Sequence, residues 1–145
     1  MNVNECVRTV PLDLCVRTVP LDFINSCSVL RMLLNYNCEI NIYVQPKTFD
    51  LALKFYNLCC LKQYVYSYDA PEPIPDSTRF LREIVLDWQD DFVNTLNQNE
   101  VFELFAFCDY IDFAPLRRLM AQKIAFEIKK CKDAEEIRYK FNLLI

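Results

Sequence analysis

The sequence predicts an α+β fold: a small N-terminal sheet flanked by helices, followed by a helical C-terminal half. Three observations carry this. Valine- and threonine-rich stretches and one alternating apolar run lie ahead of Pro46, the pattern of short strands. Beyond Pro46 the apolar residues recur every three or four positions, the spacing of amphipathic helices. Between the two helical regions, residues 67–78 read SYDAPEPIPDST, an acidic stretch with prolines at alternate positions that predicts an extended linker. The expected organisation is a sheet-bearing half over 1–66, the linker over 67–78 and a helical half over 79–145.

The chain opens with a tandem repeat. CVRTVPLDL at 6–14 is followed by CVRTVPLDF at 15–23, the two differing only at the last position. Two copies are too few for a solenoid. They read as a local duplication, the second copy structural and the first an extension. Each copy suits a strand closed by its proline. A hairpin between them would lack an Asn-Gly or Asp-Gly turn, which predicts a weak or irregular sheet.

A serine of the Ser26-Cys27-Ser28 run is placed to cap a short helix striped by Val29, Leu30, Leu33 and Leu34. Glu39 to Val44 alternates, with Ile40, Ile42 and Val44 on one side, and Pro46 ends this strand. Thr48 then caps a helix running to about Gln63, its stripe made of Leu51, Ala52, Leu53, Phe55, Leu58 and Cys59.

The stretch from Leu86 onward organises the rest. Helix returns near Trp88 and Phe92. Asn97 with Glu100 resembles a capping box, with Asn99 as the other candidate cap. The following helix has Val101, Leu104, Phe105, Cys108 and Ile111 or Asp112 on the helical period. Phe102 and Ala106 add a second face and Phe107 a third direction, so more than one side must be covered. Pro115 opens the next helix, striped by Leu116, Leu119, Met120, Ile124 and Ile128. Asp133 and Glu136 suggest a second capping box before a last helix carrying Ile137, Phe141 and Leu144.

Composition narrows function. The chain contains no histidine and no glycine. Histidine-dependent acid–base and nucleophile chemistry is thereby excluded, as are glycine-rich phosphate loops. Turns needing a positive φ must fall to Asn or Asp. The eight cysteines include no CxxC pair, which argues against zinc. With no basic-then-apolar leader, reduced thiols in cytoplasm or nucleus are expected. No apolar run is long enough to span a membrane. Residues 69–112 carry eleven acids against two bases, and 115–145 eight bases against four acids. These charges are read as solvated helix surface and not as a nucleic-acid site, since Arg117, Arg118, Lys123, Lys129, Lys130 and Lys132 are not regularly interleaved with aromatic stacking platforms, Phe126 being the one aromatic among them. No catalytic residue, cofactor or metal is expected.

DWQDDFV, EVFELFAFCDYIDFAPLRRLMAQKIAFEI and KDAEEIRYKFNLL, in this order over roughly 86–143, resemble the S-phase-kinase-associated (Skp-type) adaptors of cullin–RING ubiquitin ligases. The carrying residues are Trp88, Phe92, Phe102-Glu103-Leu104, Asp109-Tyr110-Ile111-Asp112, Leu116 and Glu135-Glu136-Ile137-Arg138 with Phe141-Asn142. Upstream, VPLDFINSCSVLRMLLN and EINIYVQPKTFDLALKFYNLCC resemble the family's strand–helix units more weakly. The resemblance implies a BTB/POZ-like fold with a C-terminal helical extension, and a non-catalytic adaptor bridging a cullin N-terminal domain to the F-box of a substrate receptor. Asp109 and Tyr110 would then face the cullin, and Phe102, Phe105, Leu116, Ile137 and Phe141 the F-box. Core packing is the competing reading for each of these apolar residues, Phe105 and Leu116 above all.

Three departures from the family bear on this. Asp109 stands where the signature has asparagine. The family's last helix has no counterpart before Ile145. The duplicated nonapeptide replaces its glycine-containing hairpin. An elongin-C-like adaptor, a decoy that occupies a cullin without recruiting F-box proteins, and a self-associating BTB-like module that forms a homodimer when unpartnered are the alternatives.

Overall fold

The structure, a computed structural model, describes residues 6–11, 13, 15–36, 39–68 and 80–141. It is α+β: a three-stranded sheet followed by helices that pack on it and on one another. Strands β1 (Cys6–Val10) and β2 (Arg17–Pro20) lead into helices α1 (Leu21–Asn25) and α2 (Ser28–Leu34). Strand β3 (Glu39–Asn41) and helix α3 (Pro46–Leu61) follow. After a 3-10 turn at Leu81–Glu83 come α4 (Asp87–Asn94), α5 (Gln98–Ile111), α6 (Ala114–Lys129) and α7 (Ala134–Lys140).

The sheet order is β2-β1-β3, so the first copy of the nonapeptide is the central strand and not an extension. It runs antiparallel to β2 and parallel to β3. The two copies form a hairpin without the usual turn dipeptide, because Asp13 makes the turn with its side chain. It accepts from the Cys15 N–H at 3.1 Å and holds Arg17 at 3.0 Å. Arg17 also reaches Asp50 of α3 at 2.9 Å, tying the turn to the helix behind it.

Register explains how one peptide serves two positions. Val7 pairs with Val19 and Thr9 with Arg17, so odd-numbered residues share a face in both strands. Successive side chains alternate sides and the repeat is nine residues long, which puts two equivalent pairs on opposite faces, although Val10 and its equivalent Val19 are both buried. Val7 and Thr9 are buried while their equivalents, Val16 and Thr18, are exposed. The buried Thr9 hydroxyl is satisfied by the Arg17 carbonyl at 2.9 Å.

Neither Ser26 nor Ser28 caps α2, whose cap position is held by Cys27. The short α1, formed by the end of the second copy, ends at Ser26, whose hydroxyl donates back to the Asp22 carbonyl at 2.8 Å. Helix α2 begins at Ser28 with no side-chain cap. Ile40, Ile42 and Val44 are buried as the alternation predicts, though the ladder itself ends at Asn41. Thr48 is no cap either. Pro46 opens α3, and Thr48 is buried within it, its hydroxyl donating to Glu103 of α5 at 3.2 Å. Helix α3 ends at Leu61, and Gln63 takes a positive φ of 53°. The expectation of Asn or Asp at positive φ holds at Asp112, with φ 61°, and fails at Gln63. Of the linker, 69–78 lies outside the described residues, as do Asn142 and Leu144; Ser67 and Tyr68 are exposed.

One aromatic network joins the halves. Phe55 of α3 packs against Trp88 at 5.6 Å, Phe92 at 5.3 Å and Phe113 at 6.2 Å between ring centroids. Phe113 in turn meets Phe23 of α1 at 5.4 Å. The resulting core is contiguous from Val7 to Phe126.

Helix α5 is the central wall. Asn97 is its cap, and the box is complete: the Glu100 N–H donates to the Asn97 side chain and the Asn97 N–H to Glu100, both at 2.9 Å. The buried face is Val101, Leu104, Phe107, Cys108 and Ile111. Phe107 belongs to this face, three residues after Leu104 and four before Ile111, and meets Phe49 of α3 at 6.2 Å. Phe105 lies at the margin, half-buried. On α6 the buried face runs through Leu116, Leu119, Met120 and Phe126, leaving Ile124 half-buried and Ile128 exposed. Asp133 caps α7 by accepting from Glu136, but the Glu136 carboxylate turns to the Lys132 N–H, so the second box is only half made. Among the described residues, no helix is long and apolar enough to cross a membrane.

Candidate functional site

The two ends of α5 present different surfaces. At its C-terminal end Asp109 and Tyr110 are exposed, Tyr110 at 52%. Beyond them Asp112 takes the left-handed conformation that ends the helix, a role Asp tolerates better than most residues. Its carboxylate accepts from Ser28 of α2 at 2.6 Å and from Arg117 of α6 at 3.1 Å. Arg117 also lies 3.8 Å from Asp109, so the charge that distinguishes this sequence from the resembling signature has a counter-ion beside it.

Toward the other end, α5 and α6, with Phe141 just past α7, border a groove of about 180 Å³, lined by apolar Leu96, Val101, Phe102, Ile124 and Phe141 with polar Gln98, Lys123 and Glu127. Phe102 and Phe141 meet edge to face at 5.2 Å, and both remain half-buried. Helix α7 has no fully buried residue; Ile137 is half-buried, and Tyr139 is 90% exposed.

Of the five residues expected on the F-box side, the structure brings Phe102 and Phe141 together and places Ile137 on α7, one turn before Phe141. It does not bring in the other two. Leu116 is fully enclosed at the start of α6 and has no surface to offer, a correction that follows from its place among the buried residues of that helix. Phe105 packs against the core margin outside the groove lining.

Sequence reasoning missed Glu127. It accepts from Lys123 at 2.8 Å, from Lys130 at 3.2 Å and from Lys140 of α7. Partial burial opposes its charge, but the hydrogen bonds from Lys123 and Lys140 prevail and hold its carboxyl down near 2. A signal was available: Glu127 is the sole acid in a helix whose other charges are all basic. Lys123, Lys130 and Arg117, read from sequence as solvated, are engaged in these ion pairs.

Two wider grooves, of about 440 and 540 Å³, flank the extended segment 64–67 and share Tyr64, Val65, Tyr66 and Pro115. Elsewhere, burial pushes the thiols of Cys27 and Cys108 well above the ordinary range, which keeps them protonated. The described cysteines carry no disulfide, and no group of three or more potential ligands that could hold a metal ion occurs among the described residues. No protein-family model matches the chain, and no curated protein matches it either.

Proposed function

We propose that this protein is a non-catalytic adaptor of the Skp type, BTB/POZ-like in fold, working in cytoplasm or nucleus. It bridges a cullin N-terminal domain and an F-box-type receptor. The observation that carries this reading is the pair of separate surfaces on one helix. Phe102 and Tyr110 are eight residues apart, about 12 Å along the α5 axis at 1.5 Å per residue. One end offers an exposed tyrosine beside a paired acid, a suitable anchor for a partner's helix. The other offers an aromatic seam only half-covered by α7. The ordered sequence resemblance from Trp88 to Asn142 supports the same assignment.

Co-purification with a cullin N-terminal domain and with F-box peptides tests it. Tyr110→Ala should weaken cullin binding by about 1–3 kcal/mol and leave the F-box arm unchanged. Binding to neither partner would sink the reading. In a reconstituted ligase an adaptor raises ubiquitin transfer, whereas a decoy inhibits it. A stable dimer by light scattering, unbroken by F-box peptide, would favour the self-associating module instead.

A further inference from the structure

Helix α7 is seven residues long, too short to hold its shape without docking. Yet among the described residues it docks through very little. Its backbone accepts one hydrogen bond from another element, from the Gln98 side chain to the Lys140 carbonyl at 2.6 Å. Phe141, just past its end, rests edge-on against Phe102. A further tie is the Lys140 ammonium, which reaches the Glu127 carboxylate and, at 3.5 Å, the Glu127 carbonyl in the last turn of α6. None of its residues is fully buried. By contrast, the α5–α6 pair behind it holds fully enclosed Leu104, Cys108, Leu116 and Met120.

We propose that α7 is a latched strap: it closes the α5–α6 groove through the Lys140–Glu127 contact and opens as a unit about residues 130–133, uncovering Phe102, Val101 and Ile124. The latch is well made electrically, since Lys123 and Lys130 keep Glu127 charged and aligned whether or not Lys140 is present. It is weak mechanically, since a single lysine makes the ion pair and only the Gln98 hydrogen bond and the Phe102–Phe141 contact support it. The groove it borders sets apolar Val101, Phe102 and Ile124 beside polar Gln98, Lys123 and Glu127, and lifting the strap would widen this mixed lining toward a partner's amphipathic helix. That last consequence rests on the adaptor reading; the strap motion does not.

Hydrogen exchange on the full chain tests the strap with no partner present, so a failure to bind F-box peptides leaves its result standing. Amides of Ile137 to Lys140 should exchange at least about a hundredfold faster than those of Leu104 to Cys108 and Leu119 to Met120. Raising salt from about 0.05 to about 0.5 M should speed α7 about three- to fivefold and leave α5 and α6 unchanged, because screening loosens a partly exposed pair. Lys140→Gln should speed α7 about five- to tenfold, again alone. Glu127→Gln should do the same from the groove side. Exchange of α7 at the pace of α5 and α6, or a Lys140→Gln effect shared equally by all three helices, would overturn the proposal and make α7 an integral part of the core.

Discussion

Phe55→Ala removes the ring at the junction of α3, α4 and the start of α6. Phe55 is fully enclosed, and the rings of Trp88, Phe92 and Phe113 lie 5.3–6.2 Å from its own. Truncating a buried phenylalanine costs about 3–5 kcal/mol, and tilted or edge-on ring pairs at such spacings add about 0.5–1.5 kcal/mol each beyond the area they bury. The loss should therefore fall in the upper part of that range, about 4–5 kcal/mol. A domain of this size holds about 5–15 kcal/mol in total. The variant should melt about 10–15 °C lower. Urea unfolding, followed in parallel by far-ultraviolet circular dichroism and by fluorescence of Trp88, the only tryptophan, is the assay. Both probes should shift together, because the sheet-bearing and helical halves share the core that Phe55 links. A loss under about 1 kcal/mol, or a fluorescence transition that moves while the dichroism does not, would refute the reasoning.

Asp112→Ala removes the Ser28 and Arg117 contacts and puts an unfavoured residue at positive φ; it should cost about 2–3 kcal/mol by thermal denaturation, with Asp112→Asn costing less. Gln63→Gly relieves an exposed left-handed residue and should raise stability by about 0.5–1 kcal/mol, read from urea midpoints. The Glu127 carboxyl sits near 2 in the fold against an ordinary 4.5, so the folded state binds the fewer protons. Its contribution is fully present above pH 4.5 and is lost as pH falls toward 2. Allowing for solvent screening it amounts to about 1–2 kcal/mol, and Glu127→Gln should remove this part of the acid limb in a pH series of urea midpoints.

Several elements were legible because their cause is local. The Asn97–Glu100 box fixes where α5 starts, and strict alternation fixes which of Glu39 to Val44 face inward. Where two local signals competed, sequence alone could not choose. Ser26 and Thr48 both have the chemistry of a cap, but Ser26 serves the helix before it and Thr48 reaches across to Glu103. Phe105 and Phe107 both lie near the α5 stripe. The position of α3 against that wall decides that Phe107 is buried, and α3 is distant in sequence. The same holds for the site. An aromatic seam on the C-terminal helices could be anticipated from Phe102 and Phe141. The Glu127–Lys140 tie, thirteen residues long, depends on the turn at 130–133 and has no periodic signature.

The odd repeat length has an evolutionary consequence. Two near-identical peptides with inverted burial at two of their positions answer to opposite selection: a polar residue is tolerated at exposed Val16 and not at buried Val7, while loss of polarity is free at Thr18 and at Thr9 removes the hydroxyl that donates to the Arg17 carbonyl. Val10 and Val19, buried alike, are the pair the hairpin rewards for staying the same. The near-identity of the copies elsewhere is a transient that drift should erode, and it should erode first at the outward positions Arg8, Val16 and Thr18.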